Sequence, residues 1–435
     1  MEDISQSSPP LGEAAGTNGV RAAPPTARRR QQSPFSSLRH VNYRYLAAGT
    51  MFMSLGQWIQ QVTLGYVMYD LTGSSVLLGL LSTVRSMPFL FISPLAGVIV
   101  DRVDRRKLLL QTQGLLAVTA LTMGFFVRSP DLQAWHVFVF AIITASGWAV
   151  TQPLRQTLVP RLVPREDISN AVALNSMSFN VSKVLGPALG GLLIAWLGAS
   201  GNFFVQGCAY CGVLISIGFM SLPHTERADG EVRRSIWSDL REGMAYVQTT
   251  PAVFALLIAA MVPSIIAMPY QTLMPVMQKD VLGVGPEGLG LMLAAPGLGA
   301  MSFTFLAASF AGGVRRKGYI LLAAMAGLGI TIVLFSMTRS LPLALLSLVG
   351  VGGFQILYAT TNQTMLQLLV PDALMGRVMS IYMINSGFSP VGALFAGIMA
   401  QAFGAPITIA IMGLLVLGLA IVMFFRNPEM RRIMT

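Results

Sequence analysis

Two cationic side chains, Arg85 and Lys183, stand in the middle of long apolar runs of this 435-residue chain. A charge at the centre of a bilayer costs about 3 kcal/mol on insertion scales, so such a side chain is expected to face water or a partner. No carboxylate lies deep in any apolar run. The two cations therefore predict a cavity of net positive character, suited to an anionic or neutral small molecule. Snorkelling, or hydrogen bonds to backbone carbonyls, is the alternative.

The residue types that usually perform enzymatic chemistry are sparse. The histidines His40, His136 and His224 lie in or near polar segments, and no cluster of His, Asp or Ser has catalytic spacing. Cys208 and Cys211 are spaced like a metal or redox pair. Because they lie inside an apolar run with no second pair, two buried thiols are the favoured interpretation. We therefore do not expect this chain to be an enzyme or to hold a metal ion or a cofactor. It has no nucleotide-binding signature, so we do not expect it to hydrolyse ATP.

Apolar runs long enough to cross a bilayer must position these residues. The chain is 54% hydrophobic and only 11% charged, whereas soluble proteins carry about a quarter charged residues. The sequence therefore predicts an all-α membrane protein with twelve transmembrane helices in two six-helix halves. The predicted spans are 45–69, 76–100, 108–127, 135–158, 168–197, 202–222, 253–277, 286–313, 318–338, 341–369, 374–402 and 405–425.

Polar segments divide the chain around these spans. The predicted organisation is a disordered cytoplasmic tail at 1–40, a first half at 41–222, a cytoplasmic linker at 223–250, a second half at 251–426 and a cytoplasmic tail at 427–435. The first tail is rich in Ser, Pro, Ala and Arg, which cannot bury enough apolar surface to fold. In the linker, Ile236, Leu240, Met244 and Val247 repeat at helical spacing, which predicts an amphipathic helix on the inner membrane surface.

Basic residues predict the orientation of the bundle. Most of the 29 lysine and arginine residues fall in segments on one side, whereas the opposite segments hold only Arg128, Lys279 and Arg339. Because basic residues concentrate in cytoplasmic loops, both termini are predicted to be cytoplasmic, and the protein is expected in the inner or plasma membrane. The net charge of +11 thus has a topological role and does not indicate nucleic-acid binding.

The two halves carry an internal repeat. Leu162-Val163-Pro164 precedes the fifth span, and Leu369-Val370-Pro371 precedes the eleventh, 207 residues later. Duplicated halves of this kind are typical of transporters that rock around a central site.

The charged hairpin between spans two and three resembles the loop signature of the major facilitator superfamily. Its matching residues are Gly97, Asp101, Arg102, Arg105, Arg106 and Lys107. Asp104 stands where the family pattern has a second glycine. The resemblance implies that this hairpin contacts span eleven and closes one state of a carrier, with Arg155 as an ion partner. A purely topological charge cluster is the alternative.

Span five contains Gly186-Pro187-Ala188-Leu189-Gly190-Gly191, which resembles the core of the antiporter motif of the same superfamily. Ser182 replaces one of its upstream glycines. Proline can kink the helix, and the glycines form a flat face for tight packing. An ordinary glycine-rich helix contact is the alternative. The wider stretch 158–191 resembles the bacterial exporter branch, which includes the enterobactin exporter and macrolide efflux proteins.

In this superfamily spans one, four, seven and ten line the central cavity. The candidate substrate-binding residues are Gln57, Gln61, Arg85, Trp148, Asn175, Lys183, Tyr270, Gln271, Gln355, Tyr358, Asn362 and Asn385. Each polar residue among them is equally consistent with hydrogen bonding between helices. The candidates for coupling to protons are Asp70, Asp101 and Lys183.

The sequence thus predicts a monomeric secondary transporter that exports a small organic molecule, such as a drug or siderophore, by proton antiport. A lipid flippase on the same fold and a non-transporting membrane sensor are the rivals.

Overall fold

The computed structural model describes residues 35–100, 104–220, 236–310 and 317–426. Regular structure in these ranges is helical. The principal helices are α1 Val41–Thr72, α2 Ser75–Val100, α3 Arg105–Phe126, α4 Ala134–Leu158, α5 Ile168–Gly218, α6 Ile236–Thr249, α7 Pro251–Ile266, α8 Pro286–Phe310, α9 Lys317–Met337, α10 Leu341–Leu369, α11 Asp372–Phe403 and α12 Ala405–Arg426.

Helix α5 contains two of the predicted spans. Its 51 residues would extend about 75 Å if they were straight, more than twice the hydrocarbon thickness of a bilayer. The backbone reverses at Gly198, where φ is 72° and ψ is 171°. Glycine adopts this conformation without a steric penalty. The fifth and sixth spans therefore follow each other almost without a loop.

In the described ranges, ten helices are long and apolar enough to cross a membrane. Helix α5 is one of these ten although it holds two spans. Helix α1 has 32 residues but falls outside the ten, since Gln57, Gln60 and Gln61 lower its hydropathy. It nevertheless packs along α5. With these two additions the predicted fold is confirmed: twelve transmembrane helices in two six-helix halves.

Helices pack closely within each half, and the halves meet along two principal crossings. In the first half, α1 and α3 pack on α5, while α2 packs on α4. In the second half, α8 packs on α10 and α9 packs on α12. Between the halves, α2 crosses α11 and α5 crosses α8. These crossings set the geometry of everything that lies between the halves.

The seventh span is less regular than its predicted range of 253–277. Helix α7 ends at Ile266, and a 3-10 turn at Met268–Leu273 and a π-helical turn at Met277–Leu282 continue the crossing. Pro263, Pro269 and Pro275 explain this break-up, because each proline removes a backbone donor from the helical ladder.

Residues 35–40, within the segment expected to be a tail, have a defined structure. Ser36–Arg39 form a 3-10 turn that docks on the start of α5. The Ser36 hydroxyl donates to Asp167 at 2.6 Å, and the His40 ring lies 2.9 Å from the same carboxylate. The Tyr43 hydroxyl donates to the Ala171 carbonyl at 2.8 Å. These bonds offset the cost of ordering the turn.

The linker helix α6 makes the equivalent contact in the second half. It packs on α11, where Arg377 forms an ion pair with Glu242. Val247, on the predicted amphipathic face, is only 3% exposed. Arg377 lies 207 residues after Asn170, which accepts a hydrogen bond from Ser37 in the first half. Asn170 and Arg377, which contact the segments before spans one and seven, are therefore separated by the same offset as the sequence repeat.

Candidate functional site

At one end of the bundle the two halves touch through a pair of glycine crossings. A Cβ atom on Gly191 would lie 2.5 Å from the Pro286 carbonyl oxygen and 2.7 Å from the Cα atom of Gly290. A Cβ atom on Gly397 would lie 3.2 Å from the Cα atom of Gly79. Only glycine allows backbones to approach this closely. We call this end, where α1 finishes and α8 begins, the closed end.

The matching contacts show that the two crossings are equivalent. Gly191 meets the carbonyl of the residue that begins α8, and Gly397 meets the carbonyl of Ser75, which begins α2. In return, Gly290 faces the Pro187 carbonyl and Gly79 faces the Ala393 carbonyl. The repeat of the two halves thus seals the closed end twice, with the same backbone contacts.

Polar side chains join the halves at the same end. The Lys279 ammonium lies 2.7 Å from the Asp70 carboxylate, and the Tyr69 hydroxyl donates to Asp280. Both contacts connect the last turns of α1 to the π-helical turn that follows α7. Asp70 therefore lies at the rim of the closed end, away from the interior.

Towards the opposite end, described residues of α2 and α5 become more exposed. Ala173, Asn180 and Pro187 are seven residues apart and share one face of α5. Pro187 is buried, whereas Asn180 and Ala173 are exposed. Along α2, Leu78 is 2% exposed and Phe89 is 39% exposed. We call this end, where α3 begins, the open end. The described residues therefore outline a crevice between the halves that is sealed at the closed end.

The crevice holds connected cavities at mid-depth. One, of about 250 Å³, lies within the first half between α1, α2 and α4. Its polar lining includes Gln57, Gln61, Arg85 and Trp148. A second lies between the halves and is lined by Gln61, Arg85 and Gln271. Apart from Arg85, which lies in span two, these residues come from spans one, four and seven, which were predicted to line the cavity.

A third cavity continues on the other side of α1, towards α8 and α10. Lys183, Trp58, Gln61, Gln271 and Gln355 line it. The Lys183 ammonium lies 6.0 Å from the centre of the Trp58 ring, within cation–π range. Gln61 lines all three cavities. It thus stands between the two cations that the sequence placed at mid-membrane.

Other predicted lining residues lie outside these cavities. Tyr270 is fully buried against Phe335, and Asn362 is fully buried and donates to the Leu256 carbonyl at 2.9 Å. Tyr358 is 7% exposed and packs in the core, and Asn175 is absent from all three cavity linings. The side chain of Asn385 lies outside the described residues.

The charged hairpin is described in part. Asp101 and Arg102 lie outside the described residues, and Gly97 is in the last turn of α2. Arg105 and Lys107 lie in the first turn of α3 at the open end.

The residue that departs from the family pattern in this hairpin has a structural role. Asp104 is the N-cap of α3, and its carboxylate accepts from the backbone amides of Arg106 and Lys107. The Arg106 guanidinium donates to the Gly218 carbonyl at 2.5 Å. Arg155 is buried, and its guanidinium lies 3.3 Å from the Met53 sulfur. The hydrogen bond of Arg106 thus ties the hairpin to the end of α5.

The antiporter-like motif of α5 packs on two different partners. A Cβ atom on Gly186 would overlap the Trp58 side chain, and one on Gly190 would lie 3.3 Å from the Cα atom of Ile59. Both contacts are with α1 of the same half. Gly191 faces the other half, and Pro187 lines the third cavity. One motif thus joins α1, the cavity and the closed end.

A buried hydrogen-bond network supports the lining and was not predicted. Gln60 donates to Thr144 at 2.7 Å and accepts from Gln206 at 2.8 Å. The Trp148 indole donates to the Tyr210 hydroxyl at 3.4 Å.

Polar residues such as Gln206 inside an apolar run were the available signal for this network in the sequence. Trp58, Ser82, Ser86 and Thr144 also line the cavities; Trp58 could have been found from its three-residue spacing to Gln61.

Comparisons with known proteins agree with this architecture. The chain matches the family model described as Transmembrane secretion effector over residues 32–434. The Staphyloferrin A transporter of Staphylococcus aureus is 25% identical over 393 residues, covering 89% of this chain and 97% of the relative. Macrolide efflux protein A of Streptococcus pyogenes is 23% identical over 380 residues, covering 86% of this chain and 93% of the relative.

Solved structures share the same fold. A bacterial homolog of the human lysosomal transporter Spinster, in an inward-facing and occupied conformation, aligns with a TM-score of 0.69 at 14% identity. The alignment covers 92% of this chain and 99% of that one. The predicted resemblance to the exporter branch is confirmed, and the chain is a multi-pass membrane transporter of small molecules and not an enzyme. It belongs to the Transmembrane secretion effector family of the major facilitator superfamily.

Proposed function

We propose that this chain exports a small organic molecule across the inner membrane by alternating access, as a monomeric proton antiporter. The observation that carries the proposal is the crevice between the halves, which is sealed by glycine crossings at one end and bordered by exposed residues of α5 towards the other. The relatives named as transporters of a siderophore and of macrolides support export of a compound of that size.

Charge supports the assignment of the two ends. Arg105, Arg106 and Lys107 lie at the open end, whereas Arg128 and Lys279 lie at the closed end. Because basic residues concentrate in cytoplasmic loops, the open end is the cytoplasmic one, and both termini are cytoplasmic. The described conformation is then inward-facing and ready to load substrate from the cytoplasm.

Release on the far side requires the closed end to open. The Gly191–Gly290 and Gly397–Gly79 crossings must separate, and the Asp70–Lys279 ion pair must break. The gating hairpin at 97–107, together with Arg155, then closes the cytoplasmic side. Rigid rocking of two similarly built halves around a fixed cavity is the usual mechanism of such folds.

Proton coupling needs a group that exchanges protons during the cycle. Of the three candidates, Asp101 lies outside the described residues and Asp70 sits at the rim of the closed end. Lys183 lines the cavity. Its charge therefore acts on the substrate, and Asp70 and Asp101 are the candidates for coupling.

Flux measurements test this proposal against its rivals. The purified chain is reconstituted into inside-out vesicles with an acidic lumen, and accumulation of radiolabelled erythromycin, a catecholate and a lysophospholipid is followed. We expect accumulation of a small organic compound that disappears when an ionophore collapses the pH gradient. Movement of lysophospholipid alone would identify a flippase, and the absence of any flux would favour the sensor.

A further inference from the structure

The two cations of the cavity are arranged as separate poles. Arg85 lines the cavity inside the first half and the one between the halves. Lys183 lines the cavity towards α8 and α10. Gln61 borders both regions. A ligand that fills the crevice across Gln61 can therefore reach both cations at once.

Neither pole is neutralised by the protein within the described ranges. No Asp or Glu lines any of the three cavities there. Lys183 has its Trp58 ring contact, and none of the ion pairs of the described residues involves Arg85. Uncompensated charge at mid-membrane is unfavourable, so both cations favour a ligand that supplies the missing negative charge.

The two cations differ in the geometry that they offer. The guanidinium of Arg85 presents a planar fork that binds a carboxylate or phosphate through two parallel hydrogen bonds. The ammonium of Lys183 is a point charge with three donors, so an acidic group can approach it from a wider range of directions. Between them, the amides of Gln57 and Gln61 and the ring of Trp58 provide neutral contacts. The carbonyl oxygen of Gln57 is buried without a hydrogen-bond partner, so it can accept from a ligand.

We propose that the transported molecule carries two separated acidic groups, one bound by Arg85 and the other by Lys183, with its neutral body lying along Gln61. This inference rests on the proposed function, because it assigns the crevice as the transport site. A neutral ligand would leave both cations unpaired, and a monoanion would leave one. A dianion neutralises the cavity before it closes.

A series of straight-chain dicarboxylates tests the two poles. Succinate through sebacate are titrated into the purified full-length chain at pH 7, where both acids are ionised. Binding is followed by quenching of tryptophan fluorescence. Each diacid is compared with its monoamide, which keeps the length and removes one charge. We expect one length to bind about tenfold more tightly than its monoamide, the effect of one charged hydrogen bond.

Variants assign each acid to its cation. In Arg85→Gln and in Lys183→Gln, the advantage of the diacid over its monoamide should fall to about onefold, since one pole is missing. Arg128→Gln, which removes an equally basic residue outside the cavity, should keep the full advantage.

Two outcomes would overturn the inference. One is that no diacid binds better than its monoamide, including the case in which none binds at millimolar concentration. The other is that the two cavity variants keep the preference for diacids. If the vesicles still export a neutral compound, only this inference fails; if nothing is transported, the proposed function fails as well.

Discussion

The Nζ atom of Lys279 lies 2.7 Å from Oδ1 of Asp70, and the two residues belong to opposite halves of the bundle. Their side chains are 47% and 55% exposed. An exposed pair of this kind contributes little to overall stability. Because it exists only while the closed end is shut, its small energy acts on the balance between conformations.

We therefore expect Asp70→Asn to favour opening of the closed end. The loss of an exposed ion pair, about 0.2 to 1 kcal/mol, corresponds to a roughly 1.4- to fivefold change in the ratio of open to closed molecules. Spin labels at Asp131 and Ser340, one on each half at this end, would report the change as a longer distance population. The exchanged pair, Asp70→Lys with Lys279→Asp, should restore the original distribution; an unchanged distribution in Asp70→Asn would contradict the assignment.

The glycine crossing predicts a larger effect. In Gly191→Leu the new side chain has no space, because its Cβ atom would already lie 2.5 Å from a backbone carbonyl. Overpacking of this kind costs about 1 to 3 kcal/mol, so the closed end should lose at least about fivefold in population. The flux in vesicles should fall accordingly.

The control for that substitution is Gly114→Leu, where an added Cβ atom meets nothing within 4 Å. Flux through this variant should equal that of the natural chain. A Gly191→Leu protein that is folded and transports at the natural rate would show that the crossing does not seal the crevice.

The contact between the first turn of α1 and the start of α5 predicts a stability effect. Tyr43 is 1% exposed, and its hydroxyl donates to the Ala171 carbonyl. Tyr43→Phe removes this bond and leaves the carbonyl without that donor, so unfolding should become easier by about 1 kcal/mol. Thermal unfolding in detergent measures the change. Tyr45→Phe is the matched control, since Tyr45 contributes a ring contact with Phe219; equal loss in both variants would argue against the hydrogen bond.

The N-cap of α3 gives a graded prediction. Asp104→Ala should destabilise the chain by about 1 kcal/mol. Asp104→Gly, which introduces the residue of the family pattern, should destabilise it by only about a few tenths of a kcal/mol. The reason is that glycine at an N-cap leaves the helix amides open to water. Thermal unfolding of the two variants provides the comparison, and the reverse order would exclude a capping role.

Periodicity and charge predicted the spans well, because bilayer thickness fixes their length and loops must be polar. The prolines at 263, 269 and 275 could have shortened the predicted seventh helix, yet proline is also tolerated inside membrane helices. The union of the fifth and sixth spans depended on the φ angle of Gly198, which composition does not determine.

The lining was harder to predict than the fold. Gln271 faces the crevice while its neighbour Tyr270 is buried against Phe335. These adjacent residues point in different directions on an irregular turn, so helical spacing could not separate them. Asn362 likewise looks like a lining residue but bonds to the Leu256 carbonyl. Arg85 and Lys183 were predicted as lining residues because a charged side chain at mid-membrane must face water or a partner.

Sided labelling of one cysteine tests the central claim most directly. In a chain with Cys208→Ser and Cys211→Ser, Ser176→Cys is placed on the exposed part of α5 near the open end, and Asp131→Cys serves as the reporter of the opposite side. We predict that a membrane-impermeant maleimide modifies Ser176→Cys only from the cytoplasmic side and Asp131→Cys only from the outside. Modification of Ser176→Cys from the outside alone, or from neither side, would contradict a transporter whose crevice opens to the cytoplasm.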